Sequence, residues 1–207
     1  MRRVFNAGLL VSVLFLTLPA QGATLKLLML GDSLTAGYGL DKGESIPAQL
    51  QQALRAEGRD VIVINAGVSG DTSAGGLARL AWSLAENPDA VIVELGANDG
   101  LRGLDPAETY RNLDTILRRI RATGTPVLLA GMLAPPNLGR EYGDEFNAIY
   151  PRLAEEHGIP LYPFFLDGVA AQPELNQDDG IHPNAAGVDV VVRSILEPVR
   201  QLLAEVR

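Results

Sequence analysis

The sequence predicts an α/β fold, a three-layer α/β/α sandwich on a mostly parallel five-stranded sheet. Three observations predict it. Short β-branched apolar runs alternate with amphipathic segments along the chain, the mark of βαβ units. Glycine and small polar residues gather in the segments that follow those runs. No linker, repeat or low-complexity stretch divides the 207 residues, so one domain with a sizeable core is expected.

The first residues stand apart from this pattern. Arg2 and Arg3 precede an uncharged apolar run from Ala7 to Leu18, followed by Pro19-Ala20-Gln21-Gly22-Ala23. A positive start, a short apolar stretch and a small-residue site read as a secretory signal peptide over residues 1–23, with the domain filling 24–207. The stretch falls short of the ~20 apolar residues of a spanning helix. A periplasmic or secreted protein without a stable membrane anchor is therefore expected.

The strands are expected at Leu25 to Leu30, Val61 to Ile64, Ala90 to Leu95, Val127 to Ala130 and Ile159 to Tyr162. Between them, Ser45 can cap a helix through Glu57 with Pro47 in its first turn and Gly58 as its stop. Thr72 can cap a second helix to about Leu84. Asp105-Pro106-Ala107-Glu108 supplies an N-cap, a proline at the first helical position and an acid at the third, close to a capping box, for a helix reaching Thr123. Asp144 to Glu156 and Ala185 to Val206 supply the last two helices, with Pro151 and Pro198 as candidate kinks.

Composition excludes several function classes. The formal net charge is −8, and loss of Arg2 and Arg3 takes it near −10. Such a chain is a poor partner for nucleic acid. There is no cysteine, hence no disulfide scaffold and no thiolate metal site. The two histidines, His157 and His182, are far apart in sequence, which leaves no histidine-rich metal centre. No metal and no cofactor is expected, and the chain is expected to act as a monomer on a small-molecule substrate.

In an open parallel sheet the loops after the strands share one rim, where ligands bind. Gly31-Asp32-Ser33-Leu34 follows the first strand and offers Ser33 as a nucleophile in a tight turn; the same residues also make turns for backbone reasons alone. A serine needs a base. His157, at the end of a predicted helix, suits a structural role. His182 lies in Asp178-Asp179-Gly180-Ile181-His182-Pro183-Asn184, where Asp179 can reach Nδ1 and leave Nε2 toward the serine. That segment also reads as a turn and helix cap. Lys26 and Lys42 have no obvious path to Ser33.

Donors for an oxyanion are available on the same rim: the Ser33 amide, the Gly70 amide and the Asn98 side chain. Gly70 reads equally as a helix-entry glycine, and Asn98 as a turn former. The Gly70 segment lacks the Lys-Ser/Thr ending of a P-loop and does not fit Gly-x-Gly-x-x-Gly.

Taken together, four ordered blocks resemble the SGNH, or GDSL-type, hydrolase family. They are Gly31-Asp32-Ser33-Leu34, Ser69-Gly70-Asp71-Thr72-Ser73, Gly96-Ala97-Asn98-Asp99 and Asp179-Gly180-Ile181-His182-Pro183. The resemblance implies a flavodoxin-like sheet, Ser33 as nucleophile, His182 as base, Asp179 as its orienting acid, and Ser33, Gly70 and Asn98 as the oxyanion hole. The wording from Glu94 to Gly103 is most similar to the exported thioesterase, arylesterase and lysophospholipase branch. In that branch the loop after the asparagine covers the acyl chain, which implies substrate contacts at Asp99, Gly100 and Leu101. The apolar run Met132, Leu133, Ala134 and Pro135 is expected to line an acyl groove. The segment Leu133-Ala134-Pro135-Pro136-Asn137-Leu138-Gly139 departs from the Arg-Leu-Pro-Ala-Asn-Tyr-Gly of long-chain members, so chain length does not carry over. A carbohydrate O-deacetylase and a non-catalytic lipid-binding module on the same fold are the alternative readings.

Overall fold

The structure, a computed structural model, describes residues 23–206. The export signal expected at residues 1–23 lies outside this range apart from Ala23. Five strands form one sheet in the order β2-β1-β3-β4-β5. They are β1 (Leu25–Gly31), β2 (Val61–Gly67), β3 (Ala90–Glu94), β4 (Val127–Ala130) and β5 (Leu161–Tyr162). Every pairing is parallel, where a mostly parallel sheet was expected.

Each residue of β3 and β4 is buried, as the central strands of a sheet covered on both faces must be. The edge strand β2 is only partly covered instead, with Val61, Val63 and Ala66 buried and Ile62 and Asn65 exposed. Helix α2 (Ile46–Ala56) packs on β2 and on α8 (Ala185–Ala204). Helices α3 (Ser73–Leu84), α5 (Pro106–Arg121) and α7 (Ile149–His157) pack in series.

The local signals act largely as the sequence suggests. The Thr72 side chain accepts the Gly75 N–H, and the Asp105 side chain accepts the Ala107 N–H at 2.8 Å. Ser45 stands at the N-cap of α2 but makes no side-chain cap bond. Leu113, Ile116, Leu117 and Ile120 bury one stripe of α5, while Arg118, Arg119 and Arg121 sit in its last turn, where cations suit the helix dipole.

Two expectations are corrected. The single helix from Asp144 to Glu156 is two, α6 (Arg140–Asn147) and α7, parted at Ala148. Pro151 lacks the N–H that would bond Asn147 O and crowds that carbonyl, so the helix breaks one residue later. The segments Gly31-Asp32-Ser33 and Gly96 to Gly100 are not plain loops. They open two short helices, α1 (Ser33–Ala36) and α4 (Ala97–Leu101). Pro198 sits inside α8 without ending it.

Candidate active site

The register of the sheet brings the first three rim segments together. Gly31 at the end of β1 pairs with Gly67 on one side and Glu94 on the other, so the turns that follow β1, β2 and β3 start side by side. Gly67 lies so close to α1 that a side chain there would overlap the Ala36 backbone. Arg79, on α3, fastens this edge: its guanidinium donates to Gly31 O and Ala66 O at 2.8 Å each and to Asp71 at 2.6 Å.

Ser33 is the first residue of α1. Asp32 caps that helix through Oδ1, which accepts the Leu34 N–H at 3.0 Å. Gly37, at φ +82°, closes the turn by donating to Ser33 O at 3.1 Å. The serine hydroxyl is thereby held at a helix start on the sheet's carboxyl edge, at the β1/β3 position where the strand order reverses.

His182 reaches this hydroxyl from 149 residues away, with Nε2 2.9 Å from Ser33 Oγ. Its Nδ1 lies 2.6 Å from Asp179 Oδ2. Asp179 Oδ1 accepts the N–H groups of Ile181 and His182 at 3.0 Å each. Desolvation pushes the Asp179 carboxyl upward, but the His182 imidazole and these two amides outweigh it and hold the group down at about 2. An ionised Asp179 fixes Nδ1 as the donor, which leaves Nε2 to accept the serine proton. The Tyr38 ring lies against the imidazole, with centroids 4.5 Å apart. Gln177 ties the two loops, donating through Nε2 to Tyr38 O at 2.7 Å and Pro183 O at 2.9 Å.

Asn98, on α4, donates through Nδ2 to Asp32 Oδ2 at 3.1 Å and borders the same cleft as Ser33. Burial raises the Asp32 carboxyl to about 6, against the pull of Leu34, Asn98 and His182. Gly70 follows β2 at φ +82°, and Arg102 Nη2 donates to its carbonyl at 2.7 Å. That contact joins the Gly70 turn to the end of α4.

A cavity of about 300 Å³ opens beside Ser33, His182 and Asn98. Leu101, Met132, Leu133, Ala134 and Pro135 line it, each one a residue the sequence singled out. Asp99 and Gly100 do not. Asp99 is 2% exposed, and its carboxylate turns inward to accept from the Ser73 N–H at 2.8 Å and the Ser73 hydroxyl at 2.5 Å. Gly100 is buried against Phe146. The helical turn of α4 explains both, because Leu101, three residues on, shares the face of Asn98 while Asp99 and Gly100 turn to other faces.

Several residues of the site escaped the sequence reading. Phe164, Leu166, Ala170 and Ile181 form a further wall of the cavity. Phe164, Leu166 and Ala170 lie in a segment without a motif, where only apolar character signalled a binding surface, while Ile181 stands between Asp179 and His182 in a block read for its polar residues. Asp32, Gln177 and Arg79 act through contacts that join segments distant in sequence. Among the described residues, no group of three or more metal-ligating side chains stands together. His157 packs away from the site, with Nε2 2.9 Å from Asp114 Oδ1. A larger open groove, about 870 Å³, lies at the amino ends of the strands around Asp89, Arg121 and Pro126 and holds no residue of this constellation.

The chain is similar to known proteins over this whole unit. It is 44% identical to Esterase TesA of Pseudomonas aeruginosa over 204 residues, covering 98% of this chain and 100% of that one. It is 47% identical over 159 residues to Thioesterase 1/protease 1/lysophospholipase L1 of Escherichia coli K12, covering 76% and 75%. The crystal structure of AlinE4, an SGNH-hydrolase family esterase, superposes with a TM-score of 0.75 at 51% identity, covering 89% of this chain and 99% of that one. Residues 29–190 match the GDSL-like Lipase/Acylhydrolase family, which spans every segment of the site just described. The chain belongs to that family.

Proposed function

We propose that this chain is a serine hydrolase that cleaves acyl esters and acyl thioesters through an acyl-serine intermediate. The observation that carries the reading is the line Asp179–His182–Ser33, with contacts of 2.6 and 2.9 Å, at the mouth of an apolar cavity.

Each step follows from that line. His182 Nε2 takes the Ser33 proton as Oγ attacks the acyl carbon, and Asp179 steadies the resulting imidazolium. The Ser33 and Gly70 amides and the free Nδ2 hydrogen of Asn98 receive the developing oxyanion, where one donor is worth about 3 kcal/mol in other hydrolases. The leaving alcohol or thiol collects the proton from His182. Water then gives a proton to His182, its oxygen attacks the acyl carbon, and the acid and free Ser33 are released as the proton returns to Oγ.

The cavity lining supports an acyl chain rather than a sugar. Met132 to Pro135 on one side and Phe164 and Leu166 on another supply no ring of hydroxyl-binding groups. The names of the relatives, an esterase and a thioesterase/lysophospholipase, support both leaving-group classes. The basic, apolar and small-residue pattern at the amino terminus supports export to the periplasm or beyond. Among the described residues, no helix is long and apolar enough to cross a membrane.

Matched acyl esters and acyl thioesters test the reading. Both are expected to be hydrolysed by the wild type, and both to lose turnover by about a thousandfold or more in Ser33→Ala with the fold retained. Undiminished turnover in that variant would refute it.

A further inference from the structure

Directly behind the cleft lies a second acid that the reaction above does not use. Glu94 ends β3, an otherwise apolar strand, and is 0% exposed. Its Oε2 accepts the Thr35 hydroxyl at 2.6 Å and the Asp32 backbone N–H at 3.3 Å. Its Oε1 is buried with no hydrogen-bond partner among the described residues. Asp32, also 0% exposed, has a donor on each oxygen: Leu34 N–H on Oδ1 and Asn98 Nδ2 on Oδ2.

The two acids therefore stand in unequal settings. A carboxylate oxygen without a donor in a dry interior is costly, and the group escapes that cost by taking a proton. A carboxylate with donors on both oxygens is the better anion. Burial and the neighbouring Asp32 charge both push the Glu94 carboxyl well above its ordinary range. The other charged groups acting on this pair are His182 and Asp71, both felt at Asp32, while the Tyr150 phenol, raised first by its burial, is raised further by the two acids. Arg79 pairs with Asp71 at 2.6 Å.

We propose that Glu94 is a positioning residue that carries the proton of this pair at neutral pH, leaving Asp32 as the anion that fixes the Asn98 side chain. An anionic Asp32 can accept a hydrogen bond but not donate one, so the Asn98 amide must present Nδ2 to it and cannot turn over. One Nδ2 hydrogen is then spent on Asp32, and the other is left for the substrate carbonyl. With the proton on Asp32 instead, its O–H could donate to Asn98 Oδ1, and the amide would lose its fixed sense. The inference rests on the reading of Asn98 as an oxyanion donor, whereas the position of the proton is read without reference to turnover.

Infrared spectra of the full-length enzyme at neutral pH test it. The wild type is expected to show the carbonyl stretch of a buried protonated carboxyl, and Glu94→Gln to lack it. A wild type without that band would overturn the proposal. So would a band that survives in Glu94→Gln and disappears in Asp32→Asn.

Kinetics supply the second arm. Glu94→Ala is expected to lower kcat on an acyl ester about tenfold or more while KM changes little, and Glu94→Gln, which keeps an oxygen facing Thr35 and Asp32, to restore most of the loss. Equal loss of kcat in two folded variants would overturn the proposal. If Glu94→Ala does not fold, the band in wild type and Glu94→Gln still decides it. A wild type inactive on every acyl substrate would refute the proposed function, and the band would still locate the proton.

Discussion

Asp32 accepts a hydrogen bond from the Asn98 side chain at 3.1 Å, joining the helix that starts at Ser33 to the helix that follows β3. One buried carboxylate thus sets both Ser33, the proposed nucleophile, and Asn98, the proposed side-chain oxyanion donor. Asn98→Ala is expected to lower kcat by about 10²–10³ with KM little changed, because the lost bond forms with the transition state. Steady-state kinetics on an acyl ester check this, and a loss confined to KM would contradict it.

Arg102 donates to Gly70 O at 2.7 Å and so holds the turn whose amide is the second proposed oxyanion donor. The residue is exposed, so its removal costs the fold little. Arg102→Ala is expected to lower kcat/KM about fivefold, the equivalent of about 1 kcal/mol, with a melting temperature close to that of the wild type. Parallel kinetic and thermal-melt measurements check both halves.

Stability should depend on pH in two opposite ways. The Asp179 carboxyl, which desolvation pushes up but the His182 imidazole and two amides hold at about 2, titrates below its ordinary 3.8. Its contribution to stability is full above the ordinary value and is lost as the pH falls toward 2. Burial raises Asp32 from 3.8 to about 6, so its contribution is greatest at acid pH and is lost as the pH rises toward 6. Urea midpoints are expected to show Asp179→Asn converging on the wild type at strongly acid pH. Asp32→Asn should gain on the wild type as the pH rises through the window between 3.8 and 6.

Gly67 pairs with Gly31 and lies against the backbone of α1. A methyl group there would overlap Ala36 N and Thr35 C, atoms that cannot swing aside as a side chain can. Gly67→Ala is expected to destabilise the fold by about 1–3 kcal/mol or more. It should also displace Ser33, so that activity falls further than stability alone explains. Chemical denaturation and kinetics on the folded fraction measure the two effects separately.

Much of the fold was legible because strand and helix carry different periods, and because residues such as Thr72 and Asp105 mark helix starts. The hydrogen-bonded line Asp179–His182–Ser33 was legible because few side chains suit the proposed roles of acid, base and nucleophile. The helices at Ser33 and Asn98 were not, since a one-turn helix leaves no periodic stripe. Asp99 misled because it adjoins Asn98 in sequence yet faces Ser73 and Thr109 in space. Glu94 carried a signal that went unused: an acid ending a fully apolar buried strand needs a reason to be there. Gln177 and Arg79 gave none, because each works by reaching main-chain oxygens that only the folded topology brings near.

The central claim is that Ser33 is a nucleophile activated by His182, and covalent trapping tests it most directly. The full-length protein would be treated with a serine-directed fluorophosphonate and the adduct located by peptide mass spectrometry. One adduct per chain on Ser33 is expected, formed far more slowly in His182→Ala and absent in Ser33→Ala. An adduct on another residue, or labelling of Ser33 at the same rate without His182, would contradict the account.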